Sequence, residues 1–64
     1  MEDWIAEAVG KMHINKINGI DVAKHMGITA QYFSEIINGK KSPKGVKERV
    51  LNAIDEIANK NQKG

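Results

Sequence analysis

Residues Ile20–Lys41 read IDVAKHMGITAQYFSEIINGKK, and the spacing of small, apolar and turn-forming residues in this stretch decides the fold. Asn18 is a good helix cap, so a helix is expected from about Gly19 to Met26, burying Ile20, Val22, Ala23 and Met26. Gly27 stops it, because a helix end commonly needs one residue of positive φ and glycine adopts that without a Cβ penalty. Thr29 caps the next helix, which runs from Ala30 to about Asn38 with Phe33, Ile36 and Ile37 on one side and ends at Gly39. A small residue at Ala23 lets the two helices cross closely, while Ile28 and Phe33 close the wedge between them. Two short helices joined by Gly27-Ile28-Thr29 therefore fit a helix-turn-helix unit.

Working outward, Trp4, Ile5, Ala8, Val9 and Met12 recur at helical spacing, with Glu2, Asp3 and Glu7 near the start, where the helix dipole favours negative charge. A first helix over roughly residues 2–14 follows. Ser42-Pro43 reads as the start of a last helix, since proline at the first helical position gives up no needed hydrogen bond. Val46, Val50, Leu51, Ile54 and Ile57 form its apolar stripe, and residues 59–64 are polar enough to fray. No segment alternates as a strand would. The expected architecture is an all-α bundle of four or five short helices, with one domain over residues 1–58 and a polar tail over 59–64.

The chain has 64 residues and no cysteine, so disulfides and thiolate zinc sites are excluded. His13 and His25 have no carboxylate neighbours in a metal-binding pattern, and they are read as helix-end or solvent-facing residues; no metal or cofactor is expected. A chain of this length buries only about 60% of its unfolded surface, which makes dimerisation the natural source of added stability. The acidic N-terminal stretch differs from a secretory signal, and no apolar run approaches the ~20 residues of a membrane span. A soluble cytoplasmic protein is expected. Catalysis is not, because there is no nucleophile elbow, phosphate-binding glycine loop or zinc signature, and the domain is small for a deep pocket. The net charge of +2 is unevenly spread: residues 38–49 contain Lys40, Lys41, Lys44, Lys47 and Arg49 against Glu48 alone. A basic segment in an otherwise mildly acidic chain supplies the local positive potential that a polyanion contact draws on.

The Ile20–Lys41 stretch resembles the lambda-repressor-like family of phage and bacterial regulators, which includes Cro-type and Xre-type proteins. The residues that carry the resemblance are Val22-Ala23, then Gly27-Ile28-Thr29, then Phe33, then Ile36-Ile37-Asn38-Gly39-Lys40. The resemblance implies that the third helix enters the major groove of double-stranded DNA, that its first residues reach base edges, and that the Asn38-Gly39-Lys40 turn meets the phosphate backbone. Family members often carry a glutamine that grips a phosphate where this chain has Gly19. Asn18 takes over that contact through its amide, or the helix N-terminus approaches the backbone directly.

Projected at about 100° per residue with Phe33 inward, the third helix puts Gln31 and Glu35 farthest from the core, with Ser34 and Asn38 beside them. Gln31 is the leading base reader because an amide can both give and take a bond with adenine; Ser34 is short enough for close approach, and Ala30 suits a thymine methyl. Glu35 would have to accept from cytosine or pair with a lysine. The expected base contacts are thus Ala30, Gln31, Ser34 and Glu35. The expected backbone contacts are Asn18, Thr29, Tyr32, Asn38, Lys40, Lys41 and Lys44.

Trp4, Met12 and Phe33 are assigned to the core, and Ile37 to a half-exposed position or a partner seal. The sequence reading is a transcriptional regulator of phage or mobile-element type, repressing by operator occupancy as a homodimer on a two-fold site and associated with the nucleoid when bound. The alternative is the same fold used as a protein-interaction module, antirepressor or antitoxin-like. The basic window favours DNA, since a protein-binding module would place apolar residues at Gln31, Ser34 and Glu35.

Overall fold

The computed structural model describes residues 3–62. They form four helices, α1 (Asp3–Ile14), α2 (Gly19–Met26), α3 (Ala30–Ile37) and α4 (Val46–Gln62), with no strand among the described residues. Ala8, Ile17, Val22, Ala23, Phe33, Ile36, Val46, Val50, Ala53 and Ile54 make one buried cluster to which every helix contributes. Helices α2 and α3 pack on each other, and α4 packs against both α1 and α2. Trp4, Met12, Tyr32 and Ile37 are half-buried against this cluster. Glu2, Lys63 and Gly64, which the sequence reading placed in the first helix and in the tail, lie outside the described residues.

Three successive helices end in the same way. At the end of α2 the N–H of Gly27 donates to the carbonyl of Lys24 and that of Ile28 to Ala23. At the end of α3 Gly39 donates to Ile36 and Lys40 to Glu35. At the end of α1 Lys16 donates to His13 and Ile17 to Met12. This double bond pattern satisfies carbonyls that a helix end leaves free, and it requires one residue of positive φ. Gly27 (φ 77°) and Gly39 (φ 81°) provide it as expected; in α1 the position is held by Lys16 at φ 57°. The residue after the turn is an isoleucine in the first two helices, Ile17 buried and Ile28 half-buried, so each reversal drives an apolar side chain inward. After α3 that residue is Lys40, which is exposed.

Several expectations are corrected. Ile20 is 56% exposed, and Gly19 takes its place on the packed side of α2. Helical geometry explains this: with Val22, Ala23 and Met26 facing the core, residue 19 falls near the centre of the inward face and residue 20 well off it. Val9 is 40% exposed on the flank of α1. Helix α4 begins at Val46, not at Pro43, because Gly45 has φ 76° and cannot belong to a right-handed helix. Pro43 accepts from the N–H of Val46 in the turn that precedes α4. The helix then continues through residues 59–62, where a frayed tail was expected, with Ala53 joining the stripe of Val46, Val50 and Ile54. No helix of the described residues is long and apolar enough to cross a membrane.

Two substitutions test these assignments. Ile54, with no exposed surface, should lose about 2–5 kcal/mol of stability on replacement by alanine, the range for emptying a packed aliphatic site. Lys16→Gly should raise stability by about 0.5–1 kcal/mol, since relief of the left-handed strain exceeds the extra chain entropy of glycine. Urea denaturation followed by circular dichroism reads both; a Lys16→Gly protein less stable than its parent would mean that the lysine side chain makes a contact worth more than the strain.

Candidate nucleic-acid interface

The residues proposed for DNA contact fall on three local structures, each set by a cap or turn. Asn18 and Thr29 begin α2 and α3 with extended backbones, and their side-chain oxygens accept from the N–H groups of Asp21 at 2.9 Å and Tyr32 at 3.0 Å. Both are exposed. The capping oxygens are therefore occupied, which leaves the Asn18 amide nitrogen, rather than its oxygen, for any external acceptor.

Helix α3 presents Ala30, Gln31 and Ser34 to solvent. Asn38 is exposed at its C-terminal end and donates through its amide nitrogen to Ser34 Oγ at 3.3 Å. That bond ties two of the expected contact residues together one turn apart. Glu35, expected to point fully outward, is half-buried, and Tyr32 is half-buried on the other flank. The main-chain carbonyl of Glu35 accepts from the N–H groups of both Lys40 (2.8 Å) and Lys41 (3.3 Å), so the turn after α3 wraps back over this residue. Its carboxylate forms no ion pair among the described residues.

Lys40, Lys41 and Lys44 are exposed on the segment between α3 and α4, and none of them has an ion-pair partner among the described residues. Glu7, Asp55 and Glu56 are paired on other sides of the molecule. Lys11 lies 3.6 Å from Glu7 and 3.3 Å from Asp55, between α1 and α4. His25 Nε2 lies 2.6 Å from Glu56 Oε1, between α2 and α4. Arg49 belongs to that second side, lining a cleft with His25, Asn52 and Glu56. The basic window of the sequence is thus divided in space: its three loop lysines lie between α3 and α4, whereas Arg49 lines the cleft that also contains Glu56. An unpaired cation keeps its full attraction for an external anion, and a lysine already beside a carboxylate does not.

The sequence reading missed two features of this surface. The His25–Glu56 pair joins residues far apart in the chain and leaves no local pattern. The other is an open groove of about 600 Å³ beside α3, bordered by Val9, Ile20, Ala30, Phe33, Ser34 and Ile37. Its floor depends on Gly19, where a Cβ would stand 3.2 Å from Cε2 of Phe33. Any side chain at the position where the family resemblance expects glutamine would need the Phe33 ring to give by a few tenths of an ångström. No group of three or more metal-ligating side chains exists among the described residues. Comparison of the chain with protein-family models, curated proteins and solved structures gives no match.

The two roles of Asn18 separate by mutation. Asn18→Ala should destabilise the fold by about 1 kcal/mol through loss of the cap, whereas Asn18→Asp should leave stability within a few tenths, because aspartate caps equally well. Thermal or urea unfolding reads the difference; equal losses for both variants would show that the amide nitrogen, not the oxygen, holds the start of α2.

Proposed function

We propose that the protein is a sequence-specific double-stranded DNA-binding regulator of the helix-turn-helix kind, with α3 in the major groove and the segment after it on the phosphate backbone. The observation that carries this reading is the set of three unpaired, exposed lysines, Lys40, Lys41 and Lys44, directly following a short helix whose exposed face is polar. Two helices, Gly19–Met26 and Ala30–Ile37, joined by a three-residue turn, match the dimensions of a helix-turn-helix reader. The likeness of Ile20–Lys41 to lambda-repressor-like regulators supports the same assignment.

In this reading the contacts divide by chemistry. Gln31 reads a base edge through its amide, Ser34 and Ala30 allow close approach, and the Asn38 amide, held to Ser34, stands where the helix leaves the groove. Thr29, Tyr32 and the remaining Asn18 amide protons meet phosphates, together with the three lysines. Glu35, partly covered, accepts from a cytosine amino group or turns to a lysine once phosphates draw the loop in. A single eight-residue helix reads few base pairs, so useful selectivity needs two copies on a two-fold site about 10 bp, or a multiple of it, between half-site centres. Occupancy of such a site represses, and the protein then resides with the chromosome in the cytoplasm.

A second reading, a protein-interaction module, is favoured by one observation, the apolar groove bordered by Val9 and Ile20.

The deciding experiment is selection from a random duplex library, followed by affinity measurements over a range of salt. Lys40→Ala should weaken selected and random duplex alike and lower the salt slope by about one, as for loss of one phosphate contact. Gln31→Ala should cost about 1–3 kcal/mol on the selected site and leave random-duplex binding unchanged. Failure of the library to converge, or a salt-insensitive affinity, would remove DNA as the ligand. Sedimentation showing one chain per selected site would reject the two-fold arrangement.

A further inference from the structure

Ser34 and Asn38 lie one turn apart at the end of α3, both exposed, and they are joined twice. The main-chain N–H of Asn38 donates to the Ser34 carbonyl at 2.9 Å, and the Asn38 side-chain amide nitrogen donates to Ser34 Oγ at 3.3 Å. The backbone just beyond is fixed as well, because Gly39 donates to Ile36 and Lys40 to Glu35. Only the side-chain torsions of Asn38 remain free, and the amide bond to Ser34 restrains those. The negative end of the helix dipole favours this orientation, in which the N–H end of the amide turns back along α3.

The bond sets the polarity of the serine hydroxyl, which has one proton and two lone pairs. A serine inside a helix often donates its proton to the carbonyl one turn before it. Ser34 makes no such bond: among the described residues its side chain only accepts, and it accepts from Asn38. Its proton is therefore available to an external acceptor. Accepting from the amide also polarises the O–H group and strengthens it as a donor. Gln31 has no such restraint, since its amide forms no hydrogen bond among the described residues and can turn either end outward.

We propose that Asn38 is a positioning residue that holds Ser34 as a hydrogen-bond donor, so that Ser34 selects a base edge presenting an acceptor and rejects cytosine. In the major groove guanine offers N7 and O6, adenine N7 and thymine O4, whereas cytosine offers only its amino group and leaves the serine proton without a partner. This inference rests on the DNA reading, because it names the edge that α3 selects. The hydrogen bond from which it starts does not.

Two arms test it. In the free protein, the side-chain amide protons of Asn38 are followed by NMR in the parent and in Ser34→Ala; loss of the acceptor should move the bonded proton upfield. An unmoved signal would overturn the proposal. In the second arm, sites are selected from a random duplex library by the parent, Ser34→Ala, Asn38→Ala and the double variant. Ser34→Ala should lose preference at one base pair, where the parent discriminates against cytosine by about threefold to tenfold, the worth of one neutral hydrogen bond. Asn38→Ala should lose preference at the same pair, and the double variant should discriminate no worse than Ser34→Ala. Asn38→Asp should admit cytosine there, because a carboxylate only accepts, draws the serine proton to itself and leaves Oγ facing the base as an acceptor. Additive losses, no change of preference in Ser34→Ala, equal weakening of selected and random duplex by Asn38→Ala, cytosine preferred by the parent, or an unaltered preference in Asn38→Asp would each overturn the proposal. A parent library that fails to converge while the Asn38 signal moves overturns the DNA reading and the base preference together. A converged library with an unmoved Asn38 signal overturns this proposal alone.

Discussion

The contact between Gly19 and the ring of Phe33 governs this small domain. A Cβ at residue 19 would stand within 3.3 Å of two ring carbons, closer than side chains ordinarily pack. The ring therefore lies directly against the α2 backbone at its first residue, while Ala23, one turn on, is buried in the same core. Small residues one turn apart on α2 let α3 approach along its length.

The helix ends form the second layer of control. Each of α1, α2 and α3 reverses through a residue of positive φ, and the side chain that follows is then committed to one side of the chain. Ile17 and Ile28 are turned toward the core, so the first two reversals are held by burial as well as by hydrogen bonds. The third is followed by lysine. Without an apolar anchor this turn is held by main-chain bonds to Ser34, Glu35 and Ile36, and its lysine side chains stay in solvent. A turn bearing unpaired cations offers local positive potential to an external anion.

Charge is arranged along the same division. Carboxylates are paired on the sides where α4 meets α1 and α2, through Lys11 with Asp55 and His25 with Glu56. These pairs are exposed and contribute little to stability. They hold Glu7, Asp55 and Glu56 away from the segment after α3, where Lys40, Lys41 and Lys44 have no ion-pair partner among the described residues. Unpaired lysines and an apolar groove thus both border α3.

Much of this was legible in the sequence because the signals were local. Asn18, Thr29, Gly27 and Gly39 announce helix ends through the backbone of their own neighbourhood, and the stripe of Val46, Val50 and Ile54 needs only helical period to be recognised. The polar outer face of α3 followed from Phe33 alone. Lys16 in a left-handed turn was not legible, because a residue with a side chain adopts that conformation only when the packing of Ile17 and Met12 compensates its strain. Nor was the late start of α4, since Pro43 suits a first helical turn and only the positive φ of Gly45 delays it. The exchange of Gly19 for Ile20 on the inner face, the split of Arg49 from the loop lysines and the groove beside α3 were decided by tertiary structure. Each depends on which residues of distant segments meet, and neither helical period nor local charge carries that information.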